Sequence, residues 1–184
     1  NYDCRWEHNN SKWHLEYRMS TLTLKELSAP TGEVIKIAAG KTLDLKSQGS
    51  VTMPTGSTLQ IVEASFTTQV DISTTSYVDI GLTATITPKS TSSKILVMLN
   101  VHVYPNGSGF ACLGLSRGST QIHTLDKVNP YIDNGAVMAT MFKVDSPSTA
   151  SAVTYKLQAK EIGSATMRVN QDGSSKMILM EIQG

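Results

Sequence analysis

The feature that most constrains this chain is a two-residue alternation of apolar and polar side chains, recurring in separate stretches of its C-terminal two thirds. From Tyr77 to Thr87, Val78, Ile80, Leu82, Ala84 and Ile86 alternate with Asp79, Gly81, Thr83 and Thr85. From Lys94 to Tyr104, Ile95, Val97, Leu99, Val101 and Val103 form one apolar set. From Ala152 to Ile162, Val153, Tyr155, Leu157 and Ala159 alternate with Thr154, Lys156, Gln158 and Lys160. Successive side chains of a strand point to opposite faces, so each apolar set lies on one face of a half-buried sheet. A helix needs a period near 3.6, and no stretch of any length carries it. The pattern predicts odd-numbered residues from Ile95 to Val103 buried, and Lys156, Gln158 and Lys160 exposed.

Two segments depart from simple alternation. The second face of the strand at Lys94–Tyr104 starts apolar, with Leu96 and Met98, and ends polar, with Asn100, His102 and Tyr104. The last stretch, Lys176 to Ile182, is largely apolar on both faces. A strand covered on both sides is central in its sheet or lies at a subunit contact. Further strands are expected at Phe66–Asp71, Phe110–Arg117, Gln121–Leu125, Ala136–Val144 and Ala165–Asn170. Turn signals separate them: Pro105-Asn-Gly-Ser, Arg117-Gly-Ser, Asp133-Asn-Gly, Ser146-Pro-Ser and Asp172-Gly-Ser. Roughly eight or nine short strands at this spacing predict an all-β, antiparallel β-sandwich of jelly-roll type over residues 63–184.

Two zones precede the sandwich. In residues 19–62, Ile37-Ala-Ala-Gly-Lys-Thr-Leu-Asp-Leu45 aligns with Met53-Pro-Thr-Gly-Ser-Thr-Leu-Gln-Ile61, sixteen residues on, with a weaker copy at Gly32–Ile37. This reads as a short β-coil or shaft, or else as two hairpins with similar turns. Such repeats cannot bury their apolar side alone, and winding three chains together supplies the missing partners. Residues 1–18 differ in composition: both tryptophans, Trp6 and Trp13, lie there with Tyr2 and Tyr17, and "MST" from Met19 suits an alternative start. The segment is an anchor that seeks a partner surface, with Arg5 and Arg18 free to pair with acidic groups, or a plain extension.

Composition excludes several function classes. Charged residues are 17% of the 184, below the usual quarter or so, and the net charge is +1 with no basic run. No electrostatic footprint for nucleic acid is present. No apolar stretch approaches the ~18 residues of a membrane span, and no signal peptide is visible. Cys4 and Cys112 fit neither metal nor redox spacing. Cys112, in the apolar run Phe110–Leu115, reads as a small buried hydrophobe rather than half of a Cys4–Cys112 disulfide. His8, His14, His102 and His123 form no metal-ligand pair, and no phosphate loop, nucleophile elbow or catalytic triad stands out. Asp126 and Asp133 are the carboxylates a glycoside hydrolase would use, but Asp133-Asn-Gly is more simply a turn. The expectation is a protein without enzymatic activity, cofactor or metal.

A resemblance adds to this. Ser73-Thr-Thr-Ser-Tyr-Val-Asp-Ile-Gly-Leu-Thr-Ala-Thr-Ile-Thr-Pro88 with Ser92-Ser-Lys-Ile-Leu-Val97, then Leu115-Ser-Arg-Gly-Ser-Thr-Gln-Ile122, the run Asp145–Leu157 and the ending Met177-Ile-Leu-Met-Glu-Ile182, resemble C-terminal head domains of tail fibre proteins of marine and cyanobacterial tailed phages. The resemblance spans Val62 to the end. The two or three Gly-Lys-Thr-Leu-like repeats fit a short shaft, and residues 1–18 match nothing in such proteins. It implies a homotrimer in a virion, assembled in the host cytoplasm. Expected trimer contacts are Leu43, Leu45, Leu59 and Ile61 in the repeats and Met177 and Leu179 in the last strand. Tyr2, Trp6, Trp13 and Tyr17 form the expected virion anchor, docking on capsid or tail proteins. Polar and aromatic loop tips, Tyr104, Asn106, His123, Asn129, Tyr131 and Asn134, are the candidate contacts to a host glycan or protein, with solvated turns as the plain reading. The alternative role is a capsid decoration protein clamping shell subunits.

Overall fold

The structure, a computed structural model, describes residues 7–9, 12–14, 39–40, 53–106, 110–128, 135–163 and 166–184. The chain divides into two compact units, Asn1–Ser50 and Val51–Gly184. In the first, β1 (Glu7–Asn9) and β2 (Lys12–His14) form a small antiparallel hairpin that sets Trp13 opposite His8. Gly40 forms a turn there with a φ of 73°. Gly56, its counterpart in the second repeat copy, has a φ of 88°. Both positions use the left-handed region that glycine enters without steric cost.

Among the described residues, the second unit carries ten strands, all paired antiparallel: β3 (Thr58–Phe66), β4 (Val70–Ile72), β5 (Val78–Ile86), β6 (Lys94–Asn106), β7 (Phe110–Arg117), β8 (Thr120–Val128), β9 (Val137–Asp145), β10 (Val153–Ile162), β11 (Thr166–Val169) and β12 (Ser175–Ile182). One sheet runs β5-β10-β7-β8. In the other, β12 and β11 pair with successive stretches of the same edge of β6, while β9 takes the opposite edge. β3 and β4 likewise pair with β12 and β11 in succession. Two of the strands are therefore broken in the middle, and the sheet has four lines: β3/β4, β12/β11, β6 and β9. Numbered one to eight along the chain, the two sheets read 1-8-3-6 and 2-7-4-5. That order is the jelly roll, in which two four-stranded sheets share one core.

The core is the set the alternation marks. Ile95, Val97, Leu99, Val101 and Val103 of β6 are buried, facing Leu82, Ile86, Leu113, Leu115, Tyr155 and Leu157 of the other sheet across one hydrophobic cluster. Burial of each such side chain is worth about 1.5–3 kcal/mol, so β6 alone supplies a large share of the hydrophobic stabilisation. Phe66 closes the sheet edge against Gly81 of β5. A Cβ at Gly81 would lie 2.8 Å from the Phe66 ring, and its φ of 101° also requires glycine.

Four expectations need correction. The boundary at residue 62 falls inside β3, because Val62, Ala64 and Phe66 continue one core-facing row. Leu59 and Ile61 thus belong to the sandwich rather than to a separate shaft. The strand expected at Phe66–Asp71 is split: Phe66 ends β3 and β4 starts at Val70. Met177 and Leu179, expected at a trimer contact, are fully buried in the chain's own core, since β12 is a central strand between β3 and β6. Lys156, Gln158 and Lys160 are half-buried rather than exposed. They lie on β10, which has neighbours on both sides, and Lys156 and Gln158 both reach Asp79 of β5 at 2.8 Å.

Three polar clusters brace the sandwich. Asp145, at the end of β9, accepts from Arg117 Nη1 at 2.8 and 2.9 Å and from the Tyr155 hydroxyl at 2.7 Å, joining the two sheets. Asn170 sits where β11 gives way to β12, with a φ of 61°. Its side chain donates to the carbonyls of Phe66 and Thr68 at 3.0 and 3.2 Å and accepts from Ser175 at 2.6 Å, satisfying the backbone where both lines break. Glu181 accepts from Gln60 Nε2 at 2.5 Å and from the Lys89 amide at 2.6 Å.

Removing the Asp145 carboxylate leaves the buried Tyr155 hydroxyl without its acceptor and Arg117 without its counter-charge. Asp145→Ala is expected to cost about 3 kcal/mol and Tyr155→Phe about 1 kcal/mol, read as lower denaturation midpoints at unchanged m-value. Glu181 yields a pH dependence. Burial pushes its carboxyl up, but the neighbouring Ser93 hydroxyl, hydrogen bonds from Gln60 and the Lys89 amide, and the Lys89 charge outweigh this and hold it below its ordinary 4.5. A depressed folded-state value means that the stabilisation is present above pH 4.5 and is lost as pH falls through the lower folded value. Melting temperature measured against pH should drop below that point. Glu181→Gln should be less stable at neutral pH and should show a shallower acid decline.

Candidate functional site

The strands alternate in direction, so their ends collect at two poles. Ile72, Val78, Asn106, Phe110, Val128, Val137, Ile162 and Thr166 mark one pole. The other holds the opposite strand ends, where the chain enters at Ser57 and leaves at Gly184. Entry and exit are stitched together: the Gly56 amide donates to the Gln183 carbonyl and the Gln183 amide to the Ser57 carbonyl, both at 2.8 Å. The candidate contact residues Tyr104 and Asn106 lie on the end of β6 at the far pole. Asn129, Tyr131 and Asn134 fall outside the described residues. The strands flanking them, β8 and β9, have their Val128 and Val137 ends at that same pole. His123 stands apart from this group: it lies opposite Leu115 of β7, nearer the entry pole.

The outward face of the first sheet is apolar over part of its width. Register places Ile61, Met180, Leu96 and Val144 side by side across β3, β12, β6 and β9. The next row is Glu63, Ile178, Met98 and Phe142, and the row after that is polar: Ser65, Lys176, Asn100 and Thr140. Ile61, Phe142 and Val144 are 59%, 61% and 53% exposed. Of the expected trimer contacts, Ile61 stands on this face, Leu59 is half-buried at the β3–β12 bulge, and Leu43 and Leu45 lie outside the described residues. Of the expected anchor, Tyr2, Trp6 and Tyr17 also lie outside them, while Trp13 is placed only by its backbone in β2. The sequence reading passed over Phe142 and Val144. The available signal was that the stretch Val137–Val144 is apolar at both odd and even positions, as the last strand is.

The outward face of the second sheet is different. Its central strand β7 presents the small residues Cys112, Gly114 and Ser116 there, all buried. The Tyr77 ring lies over Gly114, where a Cβ would come within 3.0 Å of it. The Tyr77 hydroxyl donates to Asp126 Oδ1 at 3.1 Å, and the Lys160 ammonium stands 4.6 Å from the ring centroid. Burial, then the hydrogen bond to Asp126 and its negative charge, push the Tyr77 hydroxyl up to about 12. Burial likewise pushes the Cys112 thiol up, which keeps it protonated and unreactive. Asp126, a candidate acid in the sequence, thus serves to hold a tyrosine over the sheet. Among the described residues, no three His, Cys, Asp or Glu side chains come together as a metal site.

No protein-family model matches the sequence, and no curated protein does. Among solved structures, the chain is similar to VP2 in the crystal structure of the infectious bursal disease virus subviral particle, at 13% identity and a TM-score of 0.42. That match covers 78% of this chain and 37% of the viral one. It is also similar to a chain of the virus-like particle of the extra small virus of the giant freshwater prawn Macrobrachium rosenbergii, at 15% identity and a TM-score of 0.20, covering 81% and 95%. The present chain spans little more than a third of the length of the first. Both scores fall below 0.5, so the jelly-roll architecture rests on the strand order itself.

Proposed function

We propose that this chain is a structural protein of a tailed-phage virion: a short trimeric fibre whose sandwich is the head, touching the host surface with the pole opposite its chain entry. The observation that supports this reading is the polarity of the fold. Entry and exit are hydrogen-bonded together at one pole, while Tyr104, Asn106 and the ends of β8 and β9 gather at the other. A head mounted on a stalk needs that separation, because the mounted end is occluded and loops at the free end are carried on a rigid scaffold. Three such heads on one stalk gain effective concentration, so weak individual sites suffice. The fibre-head resemblance of residues 73–88 and 115–122 points the same way, and residues 1–18 are the segment assigned to join the capsid or tail.

A second reading, a capsid decoration protein, is favoured by the broad apolar face on the side of the sandwich, which suits a protein lying against a shell. Copy number decides between them: a fibre is present in few copies per particle and a decoration protein in hundreds. Quantitative immunoblotting of purified particles reads that number directly. For the fibre, purified protein should bind host cells, and Tyr104→Ala should weaken that binding about tenfold or more through loss of three sites at once, with unchanged melting. His123→Ala, nearer the mounted end, should bind like the original. Equal binding by both variants would move the contact away from the β6 tip.

A further inference from the structure

We infer that the apolar outward face of the first sheet is the contact between copies of this chain, with its centre at Met98, Leu96, Ile178 and Met180 and its edges at Ile61 on one side and Phe142 and Val144 on the other. The inference deepens the trimeric part of the proposed function and rests on it. Four strands at about 4.8 Å spacing and two rows of same-face residues give an apolar area on the order of 300 Å². A soluble monomer leaves few contiguous patches of that size in water, and they commonly mark interaction sites. A stable contact buries about 800 Å² per partner with an apolar centre and a polar rim. The row Ser65, Lys176, Asn100 and Thr140 supplies such a rim beside the apolar rows.

Charge selects a second copy as the occupant. In a contact between identical surfaces, any unbalanced charge near the axis meets its own kind. The charged residues within these three rows are Glu63 and Lys176, and they neutralise each other at 3.3 Å. The net charge of the whole chain is only +1, so association of copies meets little repulsion at longer range. Position agrees with this. The face runs along the side of the sandwich, parallel to the strands, and contact through it leaves both poles free: one for the stalk, one for the host. The other sheet offers no equivalent, since the outward residues of β7 are small and buried, with Tyr77 and Gln121 of the same chain over Gly114.

The test is sedimentation velocity of the full chain over a concentration series, alongside Phe142→Asp, Ile61→Asp and the control Val78→Ser. Ile61 and Phe142 lie on opposite sides of the patch and are exposed in the single chain, so neither change disturbs its core. Far-UV circular dichroism and a cooperative melt establish that each variant is folded. The expected result is about 60 kDa for three 19.9 kDa chains in the original and the control, and a single folded chain in both Asp variants. An oligomer that persists in both Asp variants overturns this contact and leaves the proposed function standing. An original protein that sediments as one chain at every concentration overturns the contact too, and its face is then covered by residues 1–50 of the same chain or by a different protein. Particle labelling reads the virion role separately: a trimer dissolved by these substitutions but absent from virions supports the contact and removes the role.

Discussion

The structure depends on a single constraint: β6 has only two faces and two edges, and the sandwich uses one face and both edges. Its inner face carries five buried aliphatic residues, and its edges pair with β12 and β11 on one side and β9 on the other. A one-residue slip would turn Ile95 through Val103 outward together, at about 1.5–3 kcal/mol for each side chain, so the register of the whole first sheet is set here. With that register fixed, the outward neighbours follow without further choice. Leu96 must stand beside Val144 and Met180, and Met98 beside Phe142 and Ile178. The apolar outer face is therefore a consequence of the same pairing that builds the core.

Polar groups do the work that non-directional burial cannot. Hydrophobic contact holds two sheets together but does not say where one ends against the other. Asp145, bonded to Arg117 and Tyr155, pins the end of β9 to the opposite sheet, and Glu181, bonded to Gln60 and the Lys89 amide, pins the end of β12 to the first strand and the loop after β5. Both lie at the pole where the chain enters and leaves. Asn170 acts elsewhere, filling the paired breaks in β3/β4 and β12/β11 with side-chain hydrogen bonds, in a left-handed conformation that Asn tolerates better than most residues. The pole where the chain enters is thus braced by charge-assisted bonds.

The two sheets also differ in what they offer outside. In the second, Cys112, Gly114 and Ser116 leave a strip of small residues that Tyr77 and Gln121 cover at Gly114, with Lys160 over the Tyr77 ring and Asp126 at its hydroxyl. In the first, large side chains stand outward: Ile61, Phe142 and Val144 are exposed. The asymmetry leaves the sandwich with one polar outer side and one that exposes these three apolar residues.

The sequence by itself determined the class of fold, the positions of the strands after Tyr77 to within a few residues, and the inward set of every strongly alternating strand, because period two is a local property that any half-buried strand must display. It also marked β12 as covered on both faces. It could not say by what. Only the tertiary structure decided that Met177 and Leu179 face the chain's own core, that Leu59 and Ile61 belong to the sandwich, and that Ile61, Met98 and Phe142 share one surface. Those facts depend on which strands lie side by side, and partners such as β3 and β12 are separated by more than a hundred residues of chain. Periodicity carries no information about a neighbour that distant. The same limit applies to Asp145, Asn170 and Glu181, whose importance lies wholly in the groups that folding brings to them.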